Sequence, residues 1–191
     1  MRVIAGDYGS RRLKAVPGTN TRPTTDKIKE GMFNMLGGFF TEGVCLDLYG
    51  GSGALAIEAV SRGMERAIIT EKDRQAFQTI QHNLETTKEE EKFTLLRGDN
   101  RKALLQLKQA EPALQFDLVF IDPPYHKQKV EADILWLETA ALLAETAVIL
   151  CETDQKTDLS EQIGDWELYK EKMYGQTAVR LYHRRNVSVR E

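Results

Sequence analysis

Apolar residues return along this chain in two rhythms that take turns. From Val44 onward the short apolar runs VCLDL, AIIT, FTLL, FDLVFI and AVILC alternate with segments whose apolar positions recur every three or four residues. Continuous apolar runs of this length fit strands covered on both faces, and the intervening segments predict helices at 54–62, around Phe77, Ile80 and Leu84, at 101–109 and around 134–143. Strand and helix in alternation predict an α/β fold with a mostly parallel sheet and helices on both faces. The end breaks the rhythm. WELYKEKMY and TAVRLYHRR, joined by Gly175-Gln176, predict an antiparallel hairpin at one sheet edge, for seven strands in all.

Ahead of this repeat, RVIAG and RRLKAV flank DYGS and predict an N-terminal β-hairpin. The turn-rich PGTNTRP follows, and Thr24 or Thr25 can cap a helix carrying Ile28, Met32, Met35, Leu36 and Phe39 at helical spacing. The expected division is therefore a hairpin extension over 1–22, a main domain over 23–185 and a tail over 186–191. KEEEK from Lys88 to Lys92 fits a solvated helix end.

At 191 residues, 41% hydrophobic and 29% charged, the chain has the size and balance of one soluble domain. The opening MRVIAGDYGSRR lacks a signal-peptide core, and no stretch approaches the roughly 18 apolar residues of a membrane span, so the cytoplasm is expected by elimination. Cys45 and Cys151 both lie in apolar runs without metal-ligand spacing, which fits buried reduced thiols and no metal site. His82, His126 and His183 have no nucleophile or metal partner in the sequence and read as ordinary surface residues. Net charge is −3, yet residues 1–30 hold seven basic and three acidic side chains, a local +4 against −7 elsewhere. That polarity suits contact with a phosphate backbone through Arg2, Arg11, Arg12, Lys14 and Arg22.

The candidate chemistry lies at the ends of the apolar runs. In LDLYGGSGALAIEA a strand ends at Asp47, glycines permit a tight turn at Gly51 and Gly53, and a helix follows with free amides at its start. Tyr49 sits in the turn and is expected, with Asp47, Gly51 and Gly53, to bind a cofactor. Glu71, twenty residues after Gly51 and at the end of the next run, can hold a ribose hydroxyl. A pyrophosphate at the helix start would be repelled by Asp47, whereas the cationic sulfonium and amino group of S-adenosylmethionine would be attracted. Asp99, followed by Asn100, can accept from an adenine amine or cap the next helix.

The run FDLVFI ends in Asp122, Pro123, Pro124 and Tyr125. Two prolines cannot extend a hydrogen-bonded ladder and hold the loop stiff. The order LDLYGGSG, Glu71, Asp99, IDPPY resembles class I S-adenosylmethionine-dependent methyltransferases of exocyclic amines. More narrowly, RVIAGDYGSRRLKAV and TRPTTDKIKEGMFNML joined to those motifs are similar to the RsmD family, bacterial guanine-N2 methyltransferases of 16S rRNA, over nearly the whole chain. The resemblance implies a Rossmann-like class I fold, S-adenosylmethionine as cofactor, the small ribosomal subunit or an assembly intermediate as partner, and a monomer without metal. It also implies that Arg22, Pro23 and Thr24 lie near the cofactor or target base. Where the family commonly has phenylalanine and alanine, this chain has Tyr49 and Gly50, which is expected to loosen the turn slightly.

With those roles, Asp122 and the Pro123 carbonyl would accept from the two N–H groups of the target amine, and Tyr125 would stack on the base. Rival readings remain: a DNA adenine-N6 or cytosine-N4 methyltransferase, disfavoured for want of a separate target-reading domain, and a nucleotide-binding dehydrogenase, disfavoured for want of a substrate domain. A noncatalytic RNA-binding factor is disfavoured because all four strand-end acids, Asp47, Glu71, Asp99 and Asp122, are present.

Overall fold

Five parallel strands form one half of the sheet, and the inner ones are buried on both faces because their sequences are apolar on both sides. The computed structural model describes residues 1–18, 24–124 and 129–185. The strands are β1 (Val44–Asp47), β2 (Arg66–Glu71), β3 (Phe93–Arg97), β4 (Phe116–Ile121), β5 (Leu143–Asp154), β6 (Gln162–Ile163), β7 (Trp166–Tyr174) and β8 (Thr177–Arg184), and they join one sheet in the order β3-β2-β1-β4-β5-β8-β7-β6. β3, β2, β1, β4 and β5 run parallel, and β8, β7 and β6 continue the sheet antiparallel. The expected edge hairpin is β7 and β8, with β8 inserted next to β5. The sheet has eight strands rather than seven. The extra member, β6, is two residues long and adds to β7 across the Gly164-Asp165 turn, too short to leave a hydrophobic rhythm.

Helices α1 (Asp26–Met35), α2 (Ala54–Ser61) and α3 (Arg74–Glu85) cover one face. Helices α4 (Asn100–Ala110) and α5 (Val130–Thr139) cover the other. Each face has its own apolar core, with Met32, Phe33, Ile57, Ile80 and Phe120 on the first and Leu46, Leu104, Ile134, Ile149 and Trp166 on the second. Thr25 caps α1 by accepting from the Ile28 amide at 3.2 Å. Phe39 lies beyond the end of α1 and is 64% exposed, because Gly37 and Gly38 take left-handed backbone angles and end the helical spacing. The helix expected around 134–143 stops at Thr139, and Leu143 already belongs to β5. Glu90–Lys92 form a single 3-10 turn rather than the end of α3.

The N-terminal segment departs further from expectation. Arg2 and Arg12 make one isolated antiparallel bridge, not a hairpin of two strands. Gly6 and Ser10 take positive φ and curl the chain tightly, and a Cβ on Gly6 would stand 1.8 Å from the Ser61 carbonyl oxygen. The segment closes on itself through Val3 to Arg11, Ser10 to Val3 and Leu13 to Met1, and it bonds as extensively to α2. Glu58, fully buried, accepts from the amides of Ile4 (2.9 Å) and Ala5 (3.1 Å) and pairs with Arg62 (2.8 Å) and Lys29 (3.4 Å). Val3, Tyr8 and Leu13 are buried in the same core as α1 to α3. The tail 186–191 lies outside the described residues, as do His126 and Arg22.

Candidate active site

The strand-end acids converge because the strands that carry them are adjacent and parallel. Asp47 pairs in register with Phe120, and Ile121 with Cys151, so the residues just beyond, Asp122 and Glu152, stand side by side at the same edge as Asp47. In a doubly covered parallel sheet this carboxyl edge is where crossovers part and leave a crevice. A cleft of about 730 Å³ opens there, lined among others by Leu48, Tyr49, Glu71, Asp99, Asn100 and Pro124. The lead-in to the glycine turn and the proline corner thus face one space.

The glycine turn is fixed from below and open above. Gly53 donates to the Gly50 carbonyl (2.8 Å), and Gly50 donates to that of Thr70 (3.0 Å). Gly51 has φ +59 with free space where a side chain would go, the form of a backbone that can meet a ligand closely. Gly50 is a correction to the expected loosening: a Cβ there would lie 2.5 Å from Ile69 Cγ2 and 2.8 Å from Ile80 Cδ1, so apolar side chains fill the place of the missing methyl. Asn83 ties the turn to the N-terminal segment, donating to the carbonyls of Ser52 (2.8 Å) and Lys14 (2.9 Å) while accepting from the Lys14 amide (2.8 Å).

Asp47 is the most unusual group. It is 1% exposed, and neither carboxylate oxygen has a hydrogen-bond partner among the described residues. Burial, with the charge of Glu71 second, pushes its carboxyl well above the ordinary range; the amides of Ala56 and Tyr49 lie near enough to offset part of this without completing a bond. A buried acid without partners beside an open cleft fits a cationic ligand. Glu71 accepts from the amides of Gly51 and Asp73, both at 2.8 Å, which leaves lone pairs on both oxygens for ligand hydroxyls. Asp99 caps α4 by accepting from the Lys102 amide at 2.9 Å, and Asn100 begins that helix. Capping uses one oxygen of Asp99 and keeps the residue on the cleft wall.

Beyond β4, Asp122 is half-buried, Pro123 buried and Pro124 exposed on the cleft. Burial first, then the charges of Glu152 and Asp47 and a hydrogen bond with Glu152, raise the Asp122 carboxyl well above the ordinary range. Tyr125 lies outside the described residues, as does Pro23. Of the proposed RNA-contacting residues, Arg11 is engaged within the chain. It donates to the carbonyls of Thr86 (2.9 Å) and Thr87 (2.7 Å) and lies over the Tyr8 ring. Arg2, Arg12 and Lys14 are all exposed, and Arg2 pairs loosely with Asp26 at 3.5 Å.

The sequence over residues 1–183 matches the family described as conserved hypothetical protein 95. Ribosomal RNA small subunit methyltransferase D of Escherichia coli is 36% identical over 184 residues, which cover 96% of this chain and 90% of that one. The chain belongs to the RsmD family. Its namesake in Haemophilus influenzae is 35% identical over 95% of this chain and 93% of its own. A solved structure of a conserved hypothetical protein from Streptococcus pyogenes superposes with TM-score 0.73 at 43% identity, covering 82% of this chain and 94% of that one. A precorrin-6y C5,15-methyltransferase from Geobacter metallireducens, 17% identical, superposes at 0.64 over 90% and 94% and shares the Rossmann-like fold.

Two residues of this RsmD chain that the sequence reading passed over complete the site. Asp133 on α5 is 3% exposed, accepts from the Tyr49 hydroxyl at 2.6 Å and pairs with Arg101 at 3.3 Å. Burial and Asp133 together raise the Tyr49 hydroxyl far above its ordinary range, so it stays a donor. Glu152, 6% exposed at the end of an apolar run, accepts from the Thr24 hydroxyl at 2.8 Å. The signal for Glu152 was the one that marked Asp47, Glu71 and Asp122, an acid closing an apolar strand. Asp133 was signalled by an acid between buried Val130, Ile134 and Leu137 at helical spacing.

Proposed function

We propose that this protein methylates the exocyclic N2 amine of a guanine in 16S rRNA, using S-adenosylmethionine, on a folded RNA or assembled particle. The observation that carries this reading is the single cleft shared by the glycine-turn strand and the proline corner, in a chain of the RsmD family. Asp47, Glu71, Asp99 and Asn100 would hold the cofactor, with Asp47 supplying the negative charge that its sulfonium and amino group match. When bound, the cofactor supplies an electrophilic methyl group. Asp122 and the Pro123 carbonyl accept from the two N–H groups of the amine, which pulls its lone pair out of the ring and toward that methyl. The prolines keep the carbonyl in place, and Tyr125 stacks on the base. Most of the acceleration in this scheme comes from positioning two reactants, with no metal and no covalent intermediate.

The target base must leave any stack to reach this corner. Arg2, Arg12 and Lys14 are exposed cations of the N-terminal segment for phosphate contact, and Arg22 follows in the sequence. Among the described residues no helix is long and apolar enough to cross a membrane, and the reading places the protein in the cytoplasm as a monomer acting on the small subunit. The test is label transfer from S-adenosylmethionine to undermodified small subunits, naked rRNA and duplex DNA, followed by nucleoside analysis. N2-methylguanosine from the ribosomal substrates is expected. N6-methyladenine as the sole product overturns the substrate, and binding of NADH without S-adenosylmethionine overturns the cofactor.

A further inference from the structure

Glu152 carries no part of the scheme above, yet it is buried at the centre of the site. β4 and β5 are parallel and in register through Ile121 and Cys151, so Asp122, just past β4, and Glu152, within β5, stand on the same face about 4.8 Å apart across the sheet. That face is the one α1 covers, since Phe120 and Leu150, two residues earlier, belong to the core beneath α1. Thr24, in the segment leading into α1, donates to Glu152 Oε2 at 2.8 Å and fixes the carboxyl from the far side. The two carboxyl groups therefore stand side by side on one face of the sheet, each within reach of the other's charge. Like charges so close cannot both ionise freely, and a single proton held between them relieves the repulsion.

We propose that Glu152 is a positioning residue that shares one proton with Asp122, so that the pair both orients the target amine and takes up the proton it releases. The inference rests on the methyl-transfer reading above. In the resting pair one proton is shared and the net charge is −1. As the amine nitrogen bonds to the methyl carbon, the carbon–sulfur bond breaks and its electrons stay on sulfur, leaving the positive charge on nitrogen. An N–H proton then passes to the free oxygen of Asp122, the pair becomes neutral with two protons, and one returns to water on product release. Among the described residues, the ionisable groups whose charge bears on Asp122 are Glu152 from β5 and Asp47 from β1, and the lead-in to α1 brings the neutral Thr24 hydroxyl. Both carboxyl neighbours hold the Asp122 proton more tightly.

The experiment compares wild type with Glu152→Gln, whose amide keeps an acceptor for Thr24 and offers Asp122 a donor in place of a charge. Carbon-13 NMR of the Asp carboxyl carbons in the cofactor-free proteins, assigned with Asp122→Asn, reads the pairing without any turnover. The Asp122 titration should move to lower pH by about one unit or more in Glu152→Gln. The pH profile of kcat on small subunits should lose its acidic limb over the same interval, with kcat at pH 7 down on the order of tenfold to a hundredfold and the S-adenosylmethionine Kd unchanged. An unmoved Asp122 titration overturns the pairing. A moved titration with a pH profile superimposable on wild type overturns the role in proton uptake. If wild type methylates no RNA, the functional reading has failed, and the carboxyl titration still decides whether the proton is shared.

Discussion

Replacing Asp47 by asparagine should make the cofactor-free protein more stable and the cofactor bind less well. Asp47 is an acid whose carboxyl is raised in the folded state, chiefly by burial. Between its unfolded value, about 3.9, and its folded value the native protein binds more protons than the unfolded chain, so stability falls as pH rises through that window. Asp122, raised for related reasons, adds to the same slope, and the Asp47 charge is one of its causes. Removing the charge at position 47 takes away the first contribution and a lesser part of the second, because burial and Glu152 act on Asp122 more strongly than Asp47 does. Asparagine still leaves amide groups short of partners, since neither oxygen of Asp47 has one now. The net gain at pH 8 should therefore be modest, about 1–2 kcal/mol, the scale of one buried unsatisfied polar group. For a domain of this size that is a rise in Tm of about 2–8 °C. At pH 4 the gain should vanish or reverse. Calorimetry of the cofactor-free proteins from pH 4 to 8 reads the first effect. Titration calorimetry with S-adenosylmethionine reads the second, expected as a loss of about 1.5–3 kcal/mol, or roughly tenfold to two-hundredfold in Kd. A variant less stable than wild type at pH 8, or one that binds as tightly, refutes the reasoning that Asp47 is held uncompensated for a cation.

Glu58→Ala removes the carboxylate that holds Lys29, Arg62 and the amides of Ile4 and Ala5, and the two cations are buried. Loss of about 3–5 kcal/mol is expected, read as a fall in denaturation midpoint, with the N-terminal segment becoming the first site of proteolysis. Tyr49→Phe leaves Asp133 without its 2.6 Å donor and should cost about 1–2 kcal/mol while methyl transfer continues. A double-mutant cycle with Asp133→Leu should give a coupling of about 1–2 kcal/mol; a coupling near zero would show that the pair does not hold β1 to α5.

The parallel half of the fold was legible because its sequence signal and its burial have the same cause. β1, β2 and β4 are covered on both faces, so they read as unbroken apolar runs, and the helices between them are covered on one face and read as amphipathic. The N-terminal segment misled for a physical reason. Its apolar residues, Val3, Tyr8 and Leu13, are spaced as two short strands would space them, but they are buried against helices. Alongside bonds within the segment, several of its backbone groups are satisfied by Glu58, Ser61 and Asn83, side chains more than fifty residues away. No local pattern encodes a partner at that distance. Gly50 is a similar case: its missing methyl is a response to Ile69 and Ile80, which only the fold brings above it.

The site was legible to the extent that each residue serves its purpose from the end of its own strand. An acid that closes an apolar run is costly to bury, and Asp47, Glu71 and Asp122 announce themselves for that reason. Glu152 obeys the same rule and was passed over because no motif surrounds it; its meaning depends on β5 lying next to β4, a fact of topology. The basic residues show the opposite limit. Arg11 and Arg12 are adjacent and identical in sequence, yet Arg11 closes the end of α3 through two carbonyls while Arg12 is exposed. A guanidinium whose donors are spent on buried carbonyls is expensive to redirect toward phosphate. Charge counting therefore does not show which cations already have partners within the chain. Arg12→Ala should accordingly weaken RNA binding in a salt-dependent way, and Arg11→Ala should act first on stability. Equal salt slopes for the two variants, with unchanged melting of Arg11→Ala, would return Arg11 to the RNA face.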